Sequence, residues 1–175
     1  MKKQIEVFDY AGHICNALKK GVLLTTKNGS RVNTMTIGWG HIGCVWNKPV
    51  FIAFVRETRF TKQMLEESGE FTVNIPYGEF DNRILGVCGT KSGRDVNKIQ
   101  ELNLHLEDSQ IVTVPGIREL PLTLECKVIY KQKQDLNAIG EDVIKRFYPV
   151  IDETGFQDYP IVDYGEIGNA YLIES

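Results

Sequence analysis

The dipeptide Asn28-Gly29, set between two runs of strand-forming residues, constrains this chain more than any other pair. A two-residue type I′ turn needs positive φ at both central positions, and Asn-Gly meets that need at little steric cost. The runs on either side, 22–26 and 31–41, are therefore expected to fold back on each other as an antiparallel hairpin. A third run, Val50–Val55, is apolar throughout and suits a strand buried on both faces. Further on, Pro76 closes the run Phe71–Ile75, and Leu122–Tyr130 alternates apolar with polar residues, as an antiparallel strand with one buried face does.

Strands are expected at about 22–26, 31–41, 50–55, 71–75, 120–132 and 167–173. Helices are expected at 59–68, 80–87 and 95–103, with a short helix or turn over 8–19. Hairpin connections in place of strand–helix–strand units point to a mainly β protein with peripheral helices, an antiparallel Greek-key barrel, closed or split. Its 175 residues, without repeat, linker or low-complexity tract, are expected to form one domain over 1–175.

Twenty Lys and Arg against 23 Asp and Glu give a net charge of −3, and the basic residues are interspersed. That argues against a nucleic-acid partner. Met1-Lys2-Lys3 leads into Gln, Glu and Asp with no apolar leader, and no apolar run approaches a membrane span. A cytoplasmic protein with no membrane association is expected. Cys15, Cys44, Cys88 and Cys126 form no CxxC pair and are expected to be small core residues. The histidines 13, 41 and 105 have no metal-ligand spacing, and no G-x-S-x-G elbow occurs. No metal site and no dedicated catalytic residue are expected. His41 is read as a surface or core histidine.

Two segments carry chemistry. Thr58 precedes a short amphipathic stretch in which Phe60 and Met64 share a face, so it is expected to cap a helix. The first turn of a helix presents unpaired N–H groups and partial positive charge, and it welcomes an anion. Here Arg56, Arg59 and Lys62 cluster where the dipole disfavours cations, and Thr58 and Thr61 add hydroxyls. A phosphate between them resolves the conflict, against the plainer alternative of a capped helix with a solvated basic face.

The second segment is the strand at 31–41. Alternation sets Arg31, Asn33, Met35, Ile37 and Trp39 on one face and Val32, Thr34 and Thr36 on the other. A face mixing an amide with Met and Trp suits a planar heterocycle that needs stacking and hydrogen bonds together, or else a core face with one satisfied Asn. Gly38-Trp39-Gly40-His41-Ile42-Gly43 matches G-x-G-x-x-G, but a β run follows where a dinucleotide fold needs a helix, so that reading is rejected.

Together the string GVLLTTKNGSRVNTMTIGWG, the run VFIAFVRETRFT and the segment CGTKSGRDVNK resemble the flavin reductase-like family of FMN-binding split β-barrels, flavoredoxin-like branch, over about residues 21–130. The resemblance implies that Asn33, Thr34, Met35 and Thr36 lie along the isoalloxazine with Trp39 nearby. It implies that Arg56, Thr58, Arg59 and Thr61 bind the FMN phosphate. It implies that Ser92, Gly93, Arg94, Asp95 and Lys98 line the flavin site.

The implied activity is an FMN oxidoreductase using NADH or NADPH. The alternatives are a flavoredoxin-type electron carrier reduced by a partner protein and a flavin-binding module without turnover. A homodimer completing each pocket is implied as well, and residues 147–171, rich in aromatics, are expected to leave an apolar patch on a monomer. The chain departs from the pattern at Pro160, where close relatives often carry a histidine, and the run 135–157 resembles an insertion.

Overall fold

The computed structural model describes residues 1–174. After an edge strand β1 (Lys2–Gln4) and helix α1 (Ala11–Leu18), the chain forms β2 (Val22–Asn28) and β3 (Arg31–Ile37). They pair antiparallel from Asn28↔Arg31 to Val22↔Ile37, so the hairpin forms but its two-residue turn is Gly29-Ser30 and not Asn28-Gly29: Gly29 takes positive φ (56°), while Asn28 is the last residue of the strand. A second hairpin joins β4 (Gly40–Val45) to β5 (Lys48–Arg56). Helix α2 (Phe60–Ser68), β6 (Glu70–Ile75) and helices α3 (Arg83–Thr90) and α4 (Lys98–Glu101) follow. A small ribbon, β7 (Leu106–Glu107) with β8 (Gly116–Ile117), precedes the long β9 (Leu122–Lys133). Helix α5 (Glu141–Phe147) and a 14-residue β10 (Pro160–Ile173) complete the chain.

The main sheet runs β3-β2-β6-β9-β10-β5-β4, antiparallel throughout, with β1 added on β10. Its two ends, β3 and β4, are adjacent in sequence, separated only by Gly38 and Trp39. Two linking residues span at most about 11 Å between flanking Cα atoms. The sheet must therefore curl until its edges nearly meet. The result is a mainly β, antiparallel split barrel, with a seam between β3 and β4 where each edge leaves alternate backbone groups without a ladder partner. Much of the curl comes from β10, whose register against β9 shifts at Tyr164/Gly165 and again at Ile167/Asn169. Such bulges bend a strand and increase its twist. At Gly165 a Cβ would lie 2.6 Å from Cε1 of Phe71, so only glycine permits the strand to pass the core there.

Leu24, Phe51, Phe71, Val73 and Leu124 are fully buried in the barrel interior. A second cluster, including Leu23, Ile84, Leu85 and Leu120, seats α3 on the outer face of the sheet. On that same outer face runs a buried polar row: Thr25 Oγ1 donates to Asn74 Oδ1 (2.8 Å) and accepts from Thr34 Oγ1 (3.0 Å), and Asn74 Nδ2 donates to Thr123 Oγ1 (3.1 Å).

Several expectations need correction. The strand expected at 31–41 is two strands: β3 ends at Ile37, and β4 pairs on the far side of the seam. Trp39 thus lies in the link and not on the face of Asn33. β10 begins at Pro160, seven residues before the run expected at 167–173, because Asp163, Tyr164 and Gly165 mask its pattern. The 95–103 helix shrinks to Lys98–Glu101, capped by Asn97, whose side chain accepts from Gln100 N–H at 3.2 Å. Cys88 and Cys126 are buried, whereas Cys15 and Cys44 are exposed. Within 147–171, Tyr171 is fully buried and Tyr148 nearly so, which removes both from the expected apolar patch.

Candidate functional site

On the β3 side of the seam runs a groove, bounded by α2 and the loop at 92–94 at one end and by β5 at the other. It has two lobes of about 220 Å³ each, which share Met35 and Arg59. The inner lobe lies between β3, the start of α2 and the loop at 92–94. Arg59 is the N-cap residue of α2 and makes no side-chain capping bond. The N–H groups of the first turn open beside it. Across the lobe stands Lys98, 4% exposed, donating to the carbonyls of Thr34 (2.8 Å) and Cys88 (3.2 Å). Burial pushes its ammonium below the ordinary lysine range, and the nearby Arg59 pushes it further, while the Cys88 thiol acts the opposite way. No carboxylate opposes these cations: among the described residues neither Arg59 nor Lys98 has an ion-pair partner.

The wall is close-packed. Asn33, 4% exposed, donates from Nδ2 to Thr61 Oγ1 (2.8 Å), tying β3 to the first turn of α2. A Cβ at Gly93 would overlap Asn33 Oδ1 and approach Cδ1 of Phe60 to 2.9 Å, so the loop can lie here only as glycine. Arg31 donates to the Gly93 carbonyl and covers the Phe60 ring, and Arg94 donates to the Thr58 carbonyl (3.0 Å). Cys88, also lining this lobe, is held as a thiol, since burial raises its pKa to about 11.

The outer lobe is aromatic. Trp39 is 40% exposed and meets Phe147 edge to face, ring centroids 5.5 Å apart, and Tyr148 likewise at 6.3 Å. The Arg56 guanidinium lies 5.8 Å from the Trp39 ring and 5.3 Å from that of Tyr148, and donates to the Phe147 carbonyl (3.0 Å).

The groove thus brings together Asn33, Met35, Thr58, Arg59, Thr61, Ser92 and Lys98 in one lobe and Thr36, Trp39 and Arg56 in the other. Five placements differ from the sequence-based expectation. Thr58 does not cap α2; its hydroxyl donates to Asp158 Oδ2 (2.6 Å) and Arg59 takes the cap position. Arg56 stands in the ring-side lobe, away from the α2 start. Lys62 faces the opposite way, 2% exposed, bonded to Asp163 (2.6 Å) and Glu66 (2.7 Å). The Thr34 side chain belongs to the buried polar row, so only its backbone reaches the seam. Asp95 lines neither lobe. Phe147 and Tyr148 were not expected here, and no local pattern marks them.

Residues 17–140 match the family model described as flavin reductase like domain. Among solved structures, the flavoredoxin of Desulfovibrio vulgaris (Miyazaki F) superposes with a TM-score of 0.68 at 23% identity, covering 88% of this chain and 69% of that one. The flavoredoxin of Methanosarcina acetivorans gives 0.67 at 25% identity, covering 88% and 68%. Nitrilotriacetate monooxygenase component B from Bacillus cereus gives 0.68 at 17% identity, covering 98% and 79%. An uncharacterised protein of Archaeoglobus fulgidus is 33% identical over 97 residues, 55% of this chain and 54% of the relative, so the chain matches about half of that relative's length. Among the described residues no helix is long and apolar enough to cross a membrane. With the family model spanning well over half of it, from α1 through β9, this chain belongs to the flavin reductase-like family.

Proposed function

We propose that this chain binds FMN along the β3–β4 seam and works as an FMN-dependent oxidoreductase that draws hydride from NADH or NADPH. The observation that carries the reading is the pair of cations, Arg59 and Lys98, converging with a helix N-terminus on one lobe without any anion of the protein's own. Lys98 is buried and the exposed Arg59 stands beside it, so an anion between the two would offset their repulsion. A phosphate fits that donor set, and it would also accept from Thr61 and Ser92, which line the same lobe. Met35 and Trp39 in the adjoining lobe offer a surface for a flat ring.

FMN when bound supplies the hydride and electron chemistry itself. The chain's residues hold and orient it. The unladdered N–H groups of the β3 edge, along residues 33–36, would serve as donors to the polar rim of the ring and would favour a negative charge there. Asn33 fixes the distance between that edge and the phosphate lobe through its bond to Thr61. Met35 and Trp39 exclude water from the ring face. Cys88, its pKa raised to about 11 by burial, stays a thiol in this lobe and is not poised to act as a base.

The second reading, an FMN electron carrier reduced by a partner protein, is favoured by the fold shared with two flavoredoxins. Anaerobic addition of NADH or NADPH to the reconstituted protein separates the two. Bleaching of the flavin band supports the oxidoreductase. A band that resists both nicotinamides yet bleaches with dithionite supports the carrier. A protein that takes up no flavin refutes both. The proposed working unit is a homodimer, supported by Trp46 (64% exposed), Ile151 (61%) and Tyr130 (41%), apolar groups left in solvent on one chain.

A further inference from the structure

The segment that follows the family match has its own architecture and reaches back to the groove. Residues 141–159 comprise α5 and a loop folded on itself. Asp152 Oδ1 accepts from the N–H groups of Thr154 and Phe156 (both 2.9 Å), Ile151 bridges Gln157, and the Gln157 side chain donates to the Tyr148 carbonyl. None of the α5 residues is buried and none belongs to the barrel core. What holds the segment is the mouth of the groove. Phe147 and Tyr148 abut Trp39 and Arg56, and Asp158 accepts from the hydroxyl and N–H of Thr58 (2.6 and 3.3 Å). The remaining tie is Tyr159 under Lys133, which also pairs with Glu57, next to Arg56. An element with few core contacts opens at low cost, and its attachment points here are groove residues.

We propose that residues 141–159 form a cap that retains FMN, so that the cofactor stays in the groove through successive turnovers instead of leaving as a diffusible product. Phe147, Tyr148 and Asp158 are its positioning residues. The inference rests on the flavin reading above. It adds to that reading a means of closure: the phosphate lobe is anchored from α2 and α4, and two residues lining the ring lobe, Trp39 and Arg56, are braced by Phe147 and Tyr148 from a segment outside the matched family domain. Asp158 supplies the latch. It is bound to Thr58, next in sequence to the Arg59 cap, so the closed cap and the phosphate anchor share one loop.

The test is the rate of FMN release from loaded wild-type protein and from Asp158→Asn and Tyr148→Ala, followed by the return of flavin fluorescence after dilution. A parallel measurement follows amide hydrogen exchange of 141–159 with and without FMN. Asp158→Asn is a conservative change at the surface and leaves the fold intact. Loss of one hydrogen bond to a charged group is expected to speed release about tenfold, and FMN is expected to slow exchange in the cap of the wild-type protein. FMN that binds stoichiometrically, leaves at the wild-type rate from both variants and leaves cap exchange unchanged overturns the cap and spares the flavin reading. Wild-type protein that binds no FMN overturns both.

Discussion

Arg59→Ala isolates the phosphate anchor. Arg59 is exposed, makes no side-chain capping bond, and pairs with no carboxylate among the described residues. Its backbone carbonyl, which accepts from Lys62 N–H at 2.9 Å, survives the change. Folding is therefore expected to move by no more than about 0.5 kcal/mol. If anything the apoprotein gains, because Arg59 is one of the charges that disfavour the buried Lys98 ammonium. Binding should respond differently. One charge-assisted hydrogen bond to phosphate contributes about 1.5–3 kcal/mol, so the affinity for FMN should fall roughly ten- to hundredfold. Riboflavin lacks the phosphate, and its affinity should not change. Titration by flavin fluorescence quenching with both ligands, alongside a urea melt of each apoprotein, gives the comparison. Equal losses for FMN and riboflavin, or none for either, would refute the placement of the phosphate. Arg56→Ala is the contrasting control: since it lies against Trp39 and Tyr148, it should affect both flavins alike.

Lys62→Met should cost about 3–5 kcal/mol in urea unfolding, because it strands Asp163, 1% exposed, without its partner; Lys62→Met combined with Asp163→Leu should recover most of the loss. FMN affinity should fall on both sides of neutrality. Below about pH 6 the phosphate takes up its second proton. On the alkaline side, burial has lowered the Lys98 pKa in the apoprotein while a bound phosphate favours its charged form, so binding takes up a proton and weakens as pH rises through that lowered value. Titrations with riboflavin should lack the acid limb, and Lys98→Met should lack the alkaline one. Sedimentation across a dilution series should show a dimer; a monomer that keeps stoichiometric FMN at the lowest concentration would exclude a pocket completed by two chains.

The parts legible in the sequence are those fixed by neighbours along the chain. Asn28-Gly29 marks a hairpin with a seven-residue register, although its turn is centred one residue later, on Gly29-Ser30. The amphipathic spacing after Arg59 gives α2, and Gly93 is the glycine its loop needs. What escaped depends on residues far apart. Nothing local says that Gly38-Trp39 carries the chain from one edge of the sheet to the other, so β3 and β4 read as one strand. The turn between β4 and β5 uses Trp46 and Asn47 at φ of 52° and 57°, without the glycine that marks such turns. Lys62 looks like Arg59 on a helical wheel, and only Asp163, 101 positions away, separates their roles. The buried row of Thr25, Thr34 and Asn74 on the outer face likewise needs three strands before the hydroxyl of Thr34 has an address.

The ring-side lobe has no hinge of its own: its jaws are β3, the first strand of the sheet, and β5, the last but one. Its aperture is therefore set by the total curvature accumulated around the barrel, much of it introduced by the β10 bulges and by the close passage of Gly165 over Phe71. A change of twist on that far wall is transmitted strand by strand to the seam, like the gap of a split ring answering to a bend opposite the cut. Selection can in this way tune how tightly a flat ring is gripped by altering residues that never touch it.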